Sequence, residues 1–374
     1  MKTMGKRIMS ERINMLNLKE QHQRLMPELA QIILDTVETA QLLPPGRVEV
    51  PFERDVASYC GRKHVVGVGS GSSALHLVLL AFGVGPGDEV ITTPTSFFAT
   101  TEAILHVGAT PVFTEVDSEN GLMDISSCVS LINDNTKIIM PTHLYGNVFD
   151  VPELKEMISK QYPHIKIIED CAHAFGSCLN GKRVPLGDAG AFSFNPTKNI
   201  GGISDAGAVV TDDDNVADLV KALRDHGRVE KNKHSYIGYN SRLSSLNAGV
   251  LSLKLRHIDS WNQRRREIAE IYNETVEKAN GIRSIKITDG CTSSYHQYCL
   301  ICDDRQRVQN IFDSHLISSA IHYPTLITHQ TPIRDFYLDR PIADEFNQRC
   351  LSIPCYPELS DNDIEKITSA IESI

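Results

Sequence analysis

The chain predicts an α/β fold, with a mostly parallel mixed sheet flanked by helices in a large domain and a smaller α+β domain behind it. Three observations carry this reading. From about residue 60 to 212, short β-branched runs alternate with helical stretches. The runs are apolar throughout, as strands covered on both faces are. The turn Gly69-Ser-Gly-Ser-Ser-Ala74 joins the first run directly to a helix-like stretch, an arrangement that places backbone N–H groups where an anion can sit.

The elements follow in order. Val65-Val-Gly-Val68 leads into a helix from Ser73 to Ala81, and Glu89-Val-Ile-Thr-Thr93 leads into one from Ala99 to His106. Thr110-Pro-Val-Phe-Thr114, Lys137-Ile-Ile-Met140 and Lys166-Ile-Ile168 continue the strands. Ala191-Phe-Ser-Phe194 and Ala206-Gly-Ala-Val-Val210 close them. Gly85-Pro-Gly87 and Gly121 mark turns. After Arg242, apolar residues at Leu246, Val250, Leu253, Ile258, Trp261, Ile268 and Ile271 predict one long helix leaving the large domain. The resulting division is a disordered extension over 1–16, a large domain over 17–250, and a linking helix with a small domain over 251–374.

Composition narrows the function. A formal net charge of -10 over 374 residues argues against a nucleic-acid binder. No apolar run reaches the roughly 18 residues of a membrane span. The basic start, Met1-Lys-Thr-Met-Gly-Lys-Arg7, lacks the apolar stretch and cleavage site of a signal peptide. Nine cysteines are scattered. Cys299 and Cys302 have metal-like spacing but lie in a strand-like run, on opposite faces. Free thiols in a cytoplasmic protein, with no metal site, are therefore expected.

The chemistry is concentrated in three places. Gly69-x-Gly-x-x-Ala74 matches a dinucleotide fingerprint, yet the next strand ends in threonines and Pro94, with no acid for a ribose. A phosphate needs no such acid, and the N–H groups and hydroxyls of Ser72 and Ser73 are candidate donors; the bland alternative is a tight turn. Asp170 ends the run Ile167-Ile-Glu-Asp170, where open α/β sheets place ligands, although a helix cap is an equal reading of it alone. Glu169 points to the other face, and His173 lies one helical turn on. Lys198 sits between Pro196 and Gly201-Gly202, among Phe192, Phe194 and Ile200. Burial there lowers a lysine pKa and makes it a better nucleophile. Ser193 is a further phosphate contact, and Phe97 and Phe98 are either core or a stacking surface. A nucleophilic amine, a strand-end acid and a phosphate-sized turn together suit pyridoxal 5'-phosphate.

Five segments occur in order: Ser70-Gly-Ser-Ser-Ala-Leu-His-Leu77, Gly85-Pro-Gly-Asp-Glu-Val-Ile91, Glu169-Asp-Cys-Ala-His-Ala174, Ser193-Phe-Asn-Pro-Thr-Lys-Asn199 and Gly238-Tyr-Asn-Ser-Arg-Leu243. Together they resemble the DegT/DnrJ/EryC1/StrS aminotransferases, the sugar aminotransferases of the fold-type-I pyridoxal-phosphate group. The likeness runs from Asn17 to Pro354. It implies that Lys198 carries the cofactor and shuttles a proton, and that Asp170 pairs with the pyridine nitrogen. It places His173 near the cofactor's 3-oxygen and Phe97 on the ring. Ser72, Ser73 and Ser193 would hold the phosphate. Asn240 would reach the cofactor phosphate of a second subunit in a homodimer. Arg242, His322 and Tyr323 would lie on the substrate side.

The resemblance further implies amino transfer from L-glutamate to a nucleotide-linked 3-keto (or 4-keto) deoxysugar, with the C3-aminating members the nearer likeness. Members that dehydrate sugars replace the lysine with histidine, so Lys198 speaks against that alternative. A non-catalytic regulator is disfavoured by the intact set. The chain departs from the family pattern in Ala40-Gln-Leu-Leu-Pro-Pro-Gly46, Ser244-Ser-Leu-Asn247 and Thr325-Leu-Ile-Thr-His-Gln330.

Overall fold

The protein is described by a computed structural model covering residues 12–40, 49–336 and 339–374. Seven strands form the main sheet: β1 (His64–Val68), β2 (Glu89–Thr92), β3 (Thr110–Phe113), β4 (Thr136–Met140), β5 (Lys166–Asp170), β6 (Ala189–Ser193) and β7 (Gly207–Thr211). Their spatial order is β1-β7-β6-β5-β4-β2-β3. The pairs from β3 across to β6 are parallel, whereas β7 runs antiparallel to both β1 and β6. The β6–β7 connection, residues 194–206, needs no crossover helix because antiparallel neighbours can be joined by a loop. Six of the seven strands therefore end at one edge, and the loop carrying Lys198 is confined there.

Side-chain alternation gives the sheet two apolar faces. Val66, Val68, Ile168 and Val209 pack with helices Gly71–Ala81 and Asp214–Leu223 on one side. Val65, Phe192, Ala208 and Val210 pack with Phe52, Val56 and Leu251 on the other. This three-layer arrangement is the α/β class expected.

The single long helix expected after Arg242 is instead two, Ser245–Leu255 and Ile258–Val276. The break at Arg256-His257 is tightened by i→i+3 bonds, from Arg256 N–H to Leu253 O at 3.2 Å and from His257 N–H to Lys254 O at 3.0 Å. Its cause is a change of partner. Leu251 faces the large core and Val250 packs with Leu25 and Leu29, whereas Ile268, Ala269, Tyr272 and Val276 enter a second core. That second core lies on an antiparallel sheet of β8 (Ile282–Ser284), β9 (Tyr298–Cys302) and β10 (Cys350–Ile353), in that order.

Residues 1–11 of the expected N-terminal extension lie outside the described residues, but 12–16 are held in place. Ile13 is buried in the second core. Its N–H donates to Leu316 O at 2.9 Å, and its carbonyl accepts from Ser318 N–H at 2.8 Å. Apolar burial plus two backbone bonds is why the segment does not continue as a loose tail. Residues 41–46 of the unusual loop after Ala40 also lie outside the described residues.

Ile13→Ala is expected to lower unfolding stability by about 2–5 kcal/mol, the usual cost of emptying such a site, read as a lower denaturation midpoint. An unchanged midpoint would show that this segment does not close the second core.

Candidate active site

A cavity of about 570 Å³ opens at the shared strand edge. The large sheet supplies its floor, and loops of the second core supply one wall. Lys198, Asp170, His173, Ser72, Ser193 and Phe97 all line it, as do His322 and Tyr323.

The lysine loop is built by local bonds. Asn195 closes an Asx turn, its side-chain oxygen accepting from Thr197 N–H at 3.1 Å. Lys198 N–H donates to Asn195 O at 2.9 Å, and Gly202 N–H returns to Phe194 O at 2.9 Å. The far end is tied to the helix Ser245–Leu255. The buried Lys254 Nζ donates to Gly201 O at 2.7 Å, and Asn247 Nδ2 donates to Asp205 O at 3.0 Å. Asn247 belongs to the atypical Ser244–Asn247 stretch, which here clamps the loop. Burial lowers the Lys198 amine from an ordinary lysine value to about 8, with the Asp170 carboxylate pulling the other way.

Asp170 ends β5 and is 4% exposed. Thr100 Oγ1 donates to its Oδ2 at 2.7 Å, and Ala172 N–H donates to its Oδ1 at 3.0 Å. Thr100 shares a 2.7 Å bond with Ser96, which Thr142 joins at 3.2 Å. This hydroxyl chain aims the carboxylate into the cavity. Glu169 points the other way, as expected: its Oε2 meets His143 Nε2 at 2.6 Å, and its Oε1 accepts from the N–H groups of Leu186 and Gly187. His143, Glu169 and Cys171 come close enough to suggest a metal cluster. However, His143 Nδ1 accepts from Phe149 N–H at 3.0 Å, so hydrogen bonds already engage both ring nitrogens and both carboxylate oxygens.

His173 is 5% exposed, and its Nδ1 accepts from Tyr145 N–H at 3.3 Å. The ring hydrogen therefore sits on Nε2, 3.2 Å from the Tyr323 hydroxyl. Burial, then the charges of Lys198 and His322, hold His173 well below the usual histidine range. The same causes, burial and then Lys198, bring His322 to about 4. The Phe97 and Tyr323 rings lie 5.5 Å apart on one side of the cavity.

The helix Gly71–Ala81 points its N-terminus at the cavity. Its N-cap is Ser70, whose Oγ accepts from Ser73 N–H at 3.1 Å and donates to Ser73 Oγ at 3.0 Å. Ser73 N–H is thus engaged by the cap, and Ser73 is not among the cavity's lining residues. Gly71, Ser72 and Ser193 remain on the cavity. A Cβ on Gly71 would lie 2.6 Å from Ser193 Cβ, so only glycine lets the helix start this close to β6. A phosphate-sized cradle, a lysine of lowered pKa and a buried acid fit pyridoxal 5'-phosphate.

Asn240 and Arg242 do not line this cavity. Arg242 pairs with Asp225 at 2.9 Å and donates to Asn240 Oδ1 at 3.0 Å. Asn240 is exposed, beside the exposed Tyr236, Ile237 and Tyr239. Several lining residues escaped the sequence reading. Ser96 and Thr142 carry no motif, nor does Thr100, which lies behind Asp170 and off the cavity wall. His296 lies in the polar approach Thr292-Ser-Ser-Tyr-His-Gln297 to a strand, and Met15 and Leu16 fall in the segment read as an extension. Only Ser70, as an N-cap three residues before Ser73, had a readable signal.

Comparison with known proteins places these features in context. The profile of the DegT/DnrJ/EryC1/StrS aminotransferase family matches residues 24–372. The chain is 36% identical over 96% of its length to a pleiotropic regulatory protein of Geobacillus stearothermophilus, covering 97% of it. It is 37% identical over 96% of its length to the dTDP-3-amino-3,6-dideoxy-alpha-D-galactopyranose transaminase of Aneurinibacillus thermoaerophilus, covering 98% of it. The crystal structure of DesV from S. venezuelae in complex with a ketimine intermediate superimposes with a TM-score of 0.94 at 32% identity, covering 97% of this chain and 98% of that one.

The amine of Lys198 attacks a carbonyl only when neutral, and its neutral fraction rises through its own pKa. Capture of an aromatic aldehyde by the protein, trapped with borohydride, should therefore reach half its maximal rate near pH 8. A midpoint near the ordinary lysine value of 10.5 would mean that Lys198 is not held in a desolvated site.

Proposed function

Because the chain belongs to the DegT/DnrJ/EryC1/StrS aminotransferase family, we propose that it moves the amino group of L-glutamate onto a keto-sugar carried by a nucleotide, at C3 of the sugar. It is an aminotransferase that depends on pyridoxal 5'-phosphate. The observation that carries the reading is the convergence of Lys198, Asp170 and the Gly71–Ser72 helix start on one cavity. When bound, the cofactor supplies a carbonyl to receive the amino group and a ring to delocalise the electron pair left at Cα.

The chain's own residues do the rest. The Gly71 and Ser72 N–H groups and the Ser193 hydroxyl take the phosphate. Asp170, aimed by Thr100, pairs with the ring nitrogen. His173 offers its Nε2 hydrogen to the 3-oxygen, and Phe97 covers the ring face. Lys198 Nζ, neutral above about pH 8, would take the proton from Cα of the amino donor and deliver it to the cofactor's carbonyl carbon within the same half-reaction; the keto acid leaves before the sugar binds and the steps then run in reverse, which makes the kinetics ping-pong. Sugar specificity falls to the His322–Tyr323 wall and to the apolar Met15 and Leu16. The transaminases of Aneurinibacillus thermoaerophilus and Streptomyces venezuelae are named for 3-amino sugars, which favours C3. One relative is named a regulatory protein, but a sensor has no need of a desolvated lysine facing a buried acid. A dehydratase is disfavoured by the same lysine.

Asn240 and the exposed Tyr236, Ile237 and Tyr239 fit a loop that crosses to a second copy, so the working unit is a homodimer with shared sites. All nine cysteines are free, which suits the cytoplasm. No described helix is long and apolar enough to cross a membrane.

The deciding experiment is a screen of keto-sugar nucleotides with glutamate, following a band near roughly 410–420 nm that glutamate bleaches. Lys198→Ala should abolish turnover while the fold survives; a tenth of the normal rate, at about 10%, would sink its role. Asp170→Asn should retain much of the binding and slow the chemical step by orders of magnitude, and near-normal turnover would reduce Asp170 to a cap. Asn240→Ala should weaken cofactor affinity in a dimer seen by light scattering. A fully active monomer would refute shared sites.

A further inference from the structure

Asn199 follows the reactive lysine, is buried, and does not line the cavity. Its Nδ2 donates to Ser294 O and to Asn262 Oδ1, each at 2.8 Å. A main-chain carbonyl only accepts, so this amide cannot be reversed in place. Asn262 is fixed in the same way, because its own Nδ2 donates to Phe175 O at 3.0 Å. Asn199 Oδ1 consequently faces His296 Nδ1 at 2.9 Å, and an acceptor there requires the hydrogen on Nδ1. The other nitrogen, Nε2, is left with a bare lone pair.

His296 is 6% exposed and lines the cavity. Its Nε2 has no hydrogen-bond partner among the described residues. The His173 ring lies 4.3 Å away, centroid to centroid. It is locked in the opposite tautomer, with Nδ1 accepting from Tyr145 N–H. The two imidazoles thus present unlike faces, an N–H donor on His173 and a pure acceptor on His296. Burial first, then neighbouring positive groups, holds both well below the usual range, so both are neutral at pH 7.

An acceptor on the cavity wall with no protein donor leaves a hydrogen bond to be made by whatever fills the cavity. We propose that His296 Nε2 accepts a hydrogen bond from a hydroxyl of the sugar substrate, with Asn199 as the positioning residue that sets the tautomer. This rests on the keto-sugar reading above. A neutral acceptor beside Lys198 suits an uncharged donor. An ammonium group in the same place would add a second cation to a desolvated pocket.

The test uses the cofactor-loaded enzyme and two readouts. In protein with 15N-labelled imidazoles, His296 should show the Nδ1–H tautomer, and Asn199→Leu should convert it to a mixture. The two half-reactions are then followed separately by absorbance, with L-glutamate and with dTDP-3-amino-3,6-dideoxy-galactose as amino donors. His296→Phe should lower kcat/KM for the amino sugar about tenfold or more, the worth of one hydrogen bond in a closed site, with His296→Gln recovering part of it. The glutamate half-reaction should stay within about threefold. An Nε2–H tautomer in the wild type would overturn the proposal. So would an unchanged sugar half-reaction in His296→Phe, or an equal loss with glutamate, which would make the donor the ammonium group. Should glutamate bleach the wild-type enzyme while neither this amino sugar nor any amino-sugar nucleotide from the screen does, the keto-sugar reading falls and the hydroxyl donor with it. The tautomer would then still decide whether Nε2 is an acceptor.

Discussion

Two adjacent carboxylates at the end of β5 point to opposite faces of the strand, and the site depends on that division. Glu169 is consumed by the scaffold: it takes His143 and the backbone N–H groups of Leu186 and Gly187, just before β6. Asp170 is left for the cavity, with Thr100 and Ala172 setting its direction. A strand repeats every two residues, so a slip of one position would exchange these roles. It would aim the scaffold's acid at the cavity and leave His143 unpaired in the core. Parallel pairing of β5 with both β4 and β6 holds the register.

The lysine loop answers to the same geometry. Because β7 returns antiparallel beside β6, the loop between them stays at the strand edge and brings Lys198 to Asp170's side. Its shape is then set from outside. Lys254 and Asn247 hold the loop from the helix Ser245–Leu255, and Asn199 ties it to Asn262 and to Ser294. Asn262 lies on the helix Ile258–Val276, which also packs the second core. The loop is therefore bonded to both helices that flank the break at Arg256-His257.

Electrostatically the cavity is sparing with charge. Burial lowers the amine of Lys198 and the rings of His173, His296 and His322. One carboxylate, Asp170, offsets this only for the lysine. Beside the carboxylates of Asp170 and Asp205, the histidines around the nucleophile are neutral donors and acceptors, a setting in which hydrogen-bond direction matters.

Much of this was legible in the sequence, for local reasons. Strand period, turn glycines and a cap motif are short-range signals, so the sheet, the Gly69–Ala74 turn, Asp170 and Lys198 could be read directly. The opposite facing of Glu169 and Asp170 followed from pleat alone. Other features needed the folded chain because their causes are distant in sequence. The helix break at Arg256 reflects two cores competing for one apolar stripe. Ile13 finds its partners some three hundred residues away, at Leu316 and Ser318, so a polar, basic start gave no hint of a wall containing Met15 and Leu16. That Ser70 caps the helix through Ser73 N–H is a local contact that the shared turn does not single out. The tautomers of His173 and His296 depend on Tyr145, Asn199 and Ser294, which only tertiary packing brings to the rings; residue type determines that a histidine can donate or accept, and the fold decides which.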